Sequence, residues 1–270
     1  MAIVPAPRSC RYIALSYLWG GMGEEYWTTK ANLKHRRRRG GLDASVLPMT
    51  ISDTIQLVRL LGERYLWIDA LCIVQDDPKD KEVQIGVMEL IYGSSAFTIF
   101  AAGGTSARDP LPGIRPGTRD LQQQTSKIQG FHLAVPLVLP REAIASSAWN
   151  TRGWTYQELM LSRRRIFFTS HHVHFECAED VWSEDVVAER VDVPWDAHPL
   201  RCNGAGGFTF MDAPPHWKRT AYMEHYMSVI GKYTQRRLTV ESDIVSAVTA
   251  LINVMTKGSD VAGGEPGEAF

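Results

Sequence analysis

The chain has 270 residues, with 29 Lys+Arg against 30 Asp+Glu, a formal net charge of -1 and 44% hydrophobic residues. That length holds one large domain or two small ones with a real core. The balanced charge argues against a general nucleic-acid binder and against a disordered acidic protein. No apolar run approaches the roughly 20 residues of a membrane helix, and Met1–Arg11 has no apolar signal core. Cys10, Cys72, Cys177 and Cys202 are far apart and form no CxxC pair, which fits neither a zinc finger nor a disulfide-stapled secreted domain. The expectation is a reducing, cytoplasmic setting.

In chain order, Tyr12–Tyr17 (YIALSY) reads as a buried strand, and residues 19–23 as a turn. Residues 24–46 read as irregular and carry the basic cluster Lys34–Arg39. Pro48 and Thr50 suit a helix start; Ile51, Ile55, Val58 and Leu61 recur at helical spacing, and Gly62 stops the helix. Tyr65–Asp69 is the next strand. Val83, Val87, Leu90 and Ile91 mark a second helix ending at Gly93, and Ala96–Ala101 is a third strand. These strands are continuous apolar runs alternating with helices, which predicts a parallel sheet covered on both faces.

Residues 102–130 read as a surface loop, Phe131–Leu139 as a strand interrupted by Pro136, and Thr151–Leu161 as a short helix. Arg165–Thr169 and Val173–Cys177 are two further strands or one long one. Residues 191–216 are a second irregular region. Trp217, Ala221, His225, Val229 and Tyr233 share one helical face and Ile244, Val248, Leu251 and Met255 another; Gly258–Phe270 reads as frayed. The division expected is a domain over residues 1–190 and a two-helix extension over 191–270, packed on it.

Five groups of residues carry possible chemistry. Ser16, Tyr17, Trp19 and Gly20 end the first strand, and Asp69 and Cys72 end the second. In an open parallel sheet ligands bind outside the carboxyl ends of the strands. The bland reading of Ser16 and Asp69 is turn capping. Trp154 and Glu158 lie four apart on one helix, so a ring and a carboxylate share a face; core packing and a surface ion pair are the alternative. His172, His174 and Glu176 share one face of a strand, with His171 and Cys177 beside them. Structural zinc draws four ligands from more than one element, so no metal is expected there. The run His35–Arg39 suits phosphate contact or a solvated loop. No GxxxxGK[ST], GxSxG or HExxH pattern occurs.

Together the stretches Tyr12–Gly20, Leu47–Ile55, Arg64–Asp76 and Arg152–Glu158, with Gln84, Met88, Ile91, Tyr92, Phe175–Cys177, Ser183 and Glu184, resemble the fungal heterokaryon-incompatibility (HET) domain. Tyr233–Thr239 and Asp243 look like the segment that often trails it. The resemblance implies a role in programmed cell death when unlike fungal cells fuse. HET domains are in turn similar to TIR domains, which implies a flavodoxin-like parallel sheet with helices on both faces. Leu15-Ser16-Tyr17 and Leu66–Asp69 look like the first two TIR strands. Trp154 and Glu158 look like the Trp-Cys-x-x-Glu region, with Thr155 in the cysteine position. By that likeness Glu158 is the catalytic carboxylate of an enzyme that cleaves NAD, the candidate substrate, with no cofactor. Ser16, Tyr17, Trp19, Gly20, Asp69, Cys72 and Trp154 are the candidate substrate contacts. The alternative is a non-enzymatic module that self-associates or recruits a signalling partner.

Overall fold

The computed structural model describes residues 1–21, 24–119, 123–135, 137–185 and 219–262. Its frame is a six-stranded sheet. The first strand, β1 (Ile13–Ser16), is buried on both faces, as its unbroken apolar run requires. It pairs in parallel with β2 (Leu66–Trp67) on one side and β3 (Thr98–Ala101) on the other. Then β6 (Arg165–Phe168) runs parallel to β3, while β7 (Val173–Glu176) and β8 (Val181–Ser183) continue antiparallel, in the order β2-β1-β3-β6-β7-β8. The chain leaves β1 toward β2 and returns on the opposite side to β3. The carboxyl ends of β1 and β3 therefore flank a topological switch point, where such sheets leave a crevice.

Period-two alternation sends Ile13 and Leu15 to one face and Ala14 and Ser16 to the other. On the first face, α2 (Met49–Leu60) packs Ile51 and Val58 against Ile13, Leu15 and Ile99. Gly62, at φ 73°, follows its end, a left-handed conformation that costs glycine little. On the second face, α5 (Met88–Gly93) and α7 (Gly153–Leu161) place Met88, Tyr92, Tyr156 and Met160 against Ala14. The helices α8 (Arg219–Thr234) and α9 (Ser246–Ala262) add Val229, Tyr233, Val248 and Leu251 to that cluster. No described helix is long and apolar enough to cross a membrane.

Several expectations are corrected. The basic run is half helical: α1 (Lys30–Arg36) occupies the stretch expected to be irregular. Arg36 is buried, donating to Tyr26 O at 2.7 Å and Thr28 Oγ1 at 3.0 Å. Asp69 does not end β2 but opens a one-turn helix, α3 (Asp69–Cys72). The expected second helix is two, α4 (Pro78–Gly86) and α5, broken at Val87 beside Gly86, a weak helix former. Val83 and Leu90 are 61% and 58% exposed, and Met88 and Tyr92 form the buried face instead. The loop at 102–130 contains β4 (Thr125–Ile128), paired with β5 (Phe131–Ala134) as a separate exposed hairpin. Its turn residues Gln129 and Gly130 both have positive φ, the geometry of a two-residue hairpin turn without the Asn-Gly that would advertise it. Between them and α7 lies α6 (Pro140–Ala145). Ile244 lies in a turn before α9 and is exposed. Residues 258–262 are still helical. The region 191–216, Trp217, Cys202, the boundary at 190 and the tail from 263 fall outside the described residues.

Candidate functional site

Helix α7 carries Glu158, and the sequence around it fixes the helix start from two sides. The Thr155 hydroxyl donates to Trp149 O at 2.8 Å and to Arg152 O at 3.0 Å, closing the first turn on its own approach. From the other side, Gly153 N donates to Arg237 O at 2.9 Å and Arg237 N to Thr151 O at 2.8 Å. The Arg236 guanidinium donates to Arg152 O and to Asn150 Oδ1 and lies 4.2 Å over the Tyr156 ring. A Cβ on Gly153 would come within 2.6 Å of Leu238 Cδ2, so a side chain here would have to displace that leucine.

So held, Glu158 turns into the second face of the sheet and is only 6% exposed. Burial, then the nearby Asp69 charge, push its carboxyl up to about 8. The hydroxyls of Ser16 and Tyr92 and the Arg152 charge act in the opposite sense. Its Oε2 is buried and accepts no hydrogen bond from any described residue. Ser16, at the carboxyl end of β1, is itself 1% exposed and accepts a 2.8 Å hydrogen bond from Trp149 Nε1. The Tyr92 hydroxyl also reaches Leu15 O, at 3.4 Å.

Asp69 forms the second half of the cluster. Its Oδ2 accepts from Trp19 Nε1 at 2.9 Å and its Oδ1 from Ala70 N at 2.7 Å. The residue keeps part of its surface open, yet its carboxyl is enclosed enough that burial raises it to about 6 against the hydrogen bonds that favour its charge. Trp19 packs on Trp27 with ring centres 5.0 Å apart, and the Tyr17 hydroxyl lies 3.4 Å from that of Tyr26. Two carboxyl groups of different acidity thus act on one another beside hydroxyls and an indole, chemistry suited to holding positive charge and sugar hydroxyls.

Ser16, Tyr17, Trp19, Asp69 and Glu158 therefore come together. Gly20 serves the backbone: at φ 68°, a Cβ there would overlap Ser106 Cβ, so glycine lets this turn meet the loop after β3. Cys72 accepts a hydrogen bond from Ile68 N at 3.4 Å, and burial pushes its thiol up to about 11, which leaves it inert. Trp154 sits with the α8–α9 cluster and donates to Asp243 Oδ2 at 3.3 Å; it is not among the groups that set the Glu158 charge. Tyr92 and Trp149 went unassigned as site residues in the sequence. Trp149 lies 133 residues from Ser16, and no spacing rule links the two.

The histidine strand lies inside the fold. His172, His174 and Glu176 are buried on one face, with Glu176 accepting from Arg165 at 3.2 Å and 3.9 Å from His174 Nε2. Among the described residues, no three His, Cys, Asp or Glu side chains are arranged to hold a metal. A surface cavity of about 590 Å³ lies at the opposite, amino-terminal edge of the strands, lined by Cys10, Arg11, Glu89, Ser94, Arg163 and Arg164 among others, and receives none of the carboxylate cluster.

The profile of the family described as Heterokaryon incompatibility protein (HET) matches residues 12–158, ending on Glu158. A relative, Heterokaryon incompatibility protein 6, OR allele, of Neurospora crassa, is 32% identical over 94 residues; the match covers 31% of this chain and 13% of that protein. No solved structure matches the chain. With its first three strands, the turn that follows β2 and the Glu158 helix as far as Glu158 inside one family profile that spans more than half its length, the chain belongs to the heterokaryon incompatibility family.

Proposed function

We propose that this protein is an incompatibility-type cell-death effector that hydrolyses the nicotinamide–ribose bond of NAD, with Glu158 as the essential carboxylate. One observation carries the reading: a buried carboxyl with an unpartnered oxygen, at the switch point of a parallel sheet, beside Ser16 and Asp69. A buried polar atom left unpaired calls for a ligand or another explanation. In NAD the leaving group is already cationic. The C1′–N bond breaks with its electron pair going to the nicotinamide nitrogen, so no general acid is required, unlike ordinary glycoside cleavage. Water oxygen then bonds to C1′ and its proton passes to the carboxylate and on to solvent. The carboxylate must be ionised as positive charge develops on the ribose. A pyridinium cation entering the pocket favours that charged form. Asp69 adds negative potential, Trp19 offers a flat ring, and Ser16 and Tyr92 orient the carboxyl.

The test is release of nicotinamide from NAD by purified protein, free and artificially clustered, with Glu158→Gln beside it. The expected result is release by the native chain, reduced at least about a hundredfold in the variant, the scale of losing one essential electrostatic group. Equal rates remove Glu158 from the role.

A second reading, assembly without catalysis, is favoured by an apolar groove of about 340 Å³ lined by Leu57, Leu61, Ile166, Phe168, Val173, Phe175 and Trp182. Exposed apolar surface of this kind marks association sites. On this reading a second copy of the chain occupies the groove; Trp182→Glu abolishes self-association in sedimentation, and clustered protein releases no nicotinamide.

A further inference from the structure

We propose that the chain assembles head to tail, the apolar face of hairpin β4–β5 of one copy seating in the apolar groove over β6–β8 of the next. This rests on the reading of that groove as a self-association site and names the surface that fills it. It does not depend on Glu158.

The hairpin is amphipathic. Its register sets Ser126 opposite Leu133, Lys127 opposite His132 and Ile128 opposite Phe131. Residues two apart in a strand share a face, so Ile128, Phe131 and Leu133 lie on one side and Lys127 and His132 on the other. Val135, whose N–H continues the ladder to Gln124 O, extends the apolar side. Phe131 is 71% exposed, and Ile128, Leu133 and Val135 are half exposed or more. The hairpin pairs with no strand of the main sheet, and every residue of its two strands is exposed. A two-stranded hairpin is marginal in water until another surface covers its apolar face.

The groove is the matching surface. Ile166 lies opposite Phe175, Phe175 opposite Trp182, and Phe168 opposite Val173, so their side chains form cross-strand rows on one face of the sheet. Leu57 and Leu61, at the end of α2, supply one wall, and every residue lining the groove is apolar. Trp182 is 41% exposed on the outermost strand. Two apolar β faces pack on each other about 10 Å apart.

The charges are complementary. Lys127 and His132 are the only ionisable residues from Gln123 to Val135, whereas every charged side chain from Glu176 to Asp185 is acidic. Glu179, Asp180 and Asp185 flank Trp182 and are exposed. Opposite charges steer the encounter and select the partner. A symmetric contact, groove on groove, would instead press the two acidic rims together. Hairpin and groove are different patches of one chain, so their contact is heterologous: each added copy leaves one hairpin and one groove free, and the assembly grows until it closes into a ring or extends as a filament.

The test is sedimentation velocity of the full chain, alone and in mixtures. The native chain is expected to form species larger than a dimer as concentration rises, and fewer of them at high salt. Phe131→Glu and Trp182→Glu place a charge on exposed positions of the hairpin and the groove, and each alone is expected to stay monomeric. Mixed in equal amounts they form a dimer and nothing larger, because only the intact hairpin of the second and the intact groove of the first can meet. Leu133→Glu, on the same hairpin face, repeats the result should Phe131→Glu melt early. Ala134→Lys, on the opposite face, assembles as the native chain does.

If Phe131→Glu dimerises alone while Trp182→Glu does not, groove meets groove; the head-to-tail inference falls and the self-association reading stands. A mixture that stays monomeric overturns the inference as well. If both variants assemble as the native chain does, neither surface is used. A native chain that is monomeric at every concentration, with Trp182→Glu lowering its melting temperature, shows a groove filled from within its own chain, and the inference and the assembly reading fall together.

Discussion

Replacing Glu158 by Gln tests the electrostatics of the site without any substrate. In the fold the carboxyl titrates at about 8, against an ordinary 4.5. Between those values the native chain holds a proton that the unfolded chain has released. Stability therefore falls as pH rises through this window, at about 1.36 kcal/mol per pH unit, and the full span amounts to about 5 kcal/mol. Asp69 contributes in the same direction only up to its value of about 6, and His172, lowered from 6.5, acts below 6.5. From pH 6.5 to 8 the slope thus belongs to Glu158, and over that interval the native chain loses about 2 kcal/mol. Glu158→Gln has no such slope. Its buried amide adds a penalty of about 1–3 kcal/mol for unpaired donors, but that penalty is the same at every pH. Urea unfolding followed by tryptophan fluorescence at pH 6.5, 7, 7.5 and 8 reads the difference as a midpoint that drops by about 1 M in the native chain, at an m value near 2 kcal/mol/M, and stays level in the variant. Parallel midpoints in the two proteins would show that Glu158 is ionised in the fold at neutral pH, and the pocket would lose its distinguishing charge state.

Two further outcomes follow from the packing. His172 is buried with neither ring nitrogen hydrogen-bonded, and burial lowers its affinity for a proton against the opposing pull of Asp185 and Glu184. Its contribution to stability is complete above pH 6.5 and is lost as pH falls below that value, so thermal melts between pH 6.5 and 5 should fall more steeply in the native chain than in His172→Gln. Leu251, fully buried where α9 meets α7 and α5, should cost about 2–5 kcal/mol when cut to Ala; a change under about 0.5 kcal/mol in urea unfolding would mean that the carboxyl-terminal helices contribute little to holding α7.

The strands near the site were legible because burial on both faces leaves an unbroken apolar signature: Ile13–Ser16, Thr98–Ala101 and Arg165–Phe168 all fall inside the expected runs. Helix α2 was equally plain, from its periodicity and Gly62. The break at Val87 was not, because a single apolar period runs through both α4 and α5, and only packing chooses Met88 and Tyr92 over Val83 and Leu90. Of the hairpin at 125–134, the second strand lies inside the expected run Phe131–Leu139, while the first, Thr125–Ile128, escaped because it is exposed and mostly polar.

By itself the sequence determined the family, the alternation that builds a parallel sheet, and the chemically capable residues at its carboxyl edge: Ser16, Trp19, Asp69 and Glu158. Those are local properties, written in runs and short motifs. Tertiary structure alone decided what these residues do to one another. It set Asp69 near enough to raise Glu158, turned Trp154 away toward Asp243, and brought Trp149 across 133 residues to Ser16. A carboxyl group's charge depends on solvent exclusion and on nearby groups, and for Glu158 on α7 those groups come from β1, α3 and α5, which meet it only in the fold, and from Arg152 just before its own helix.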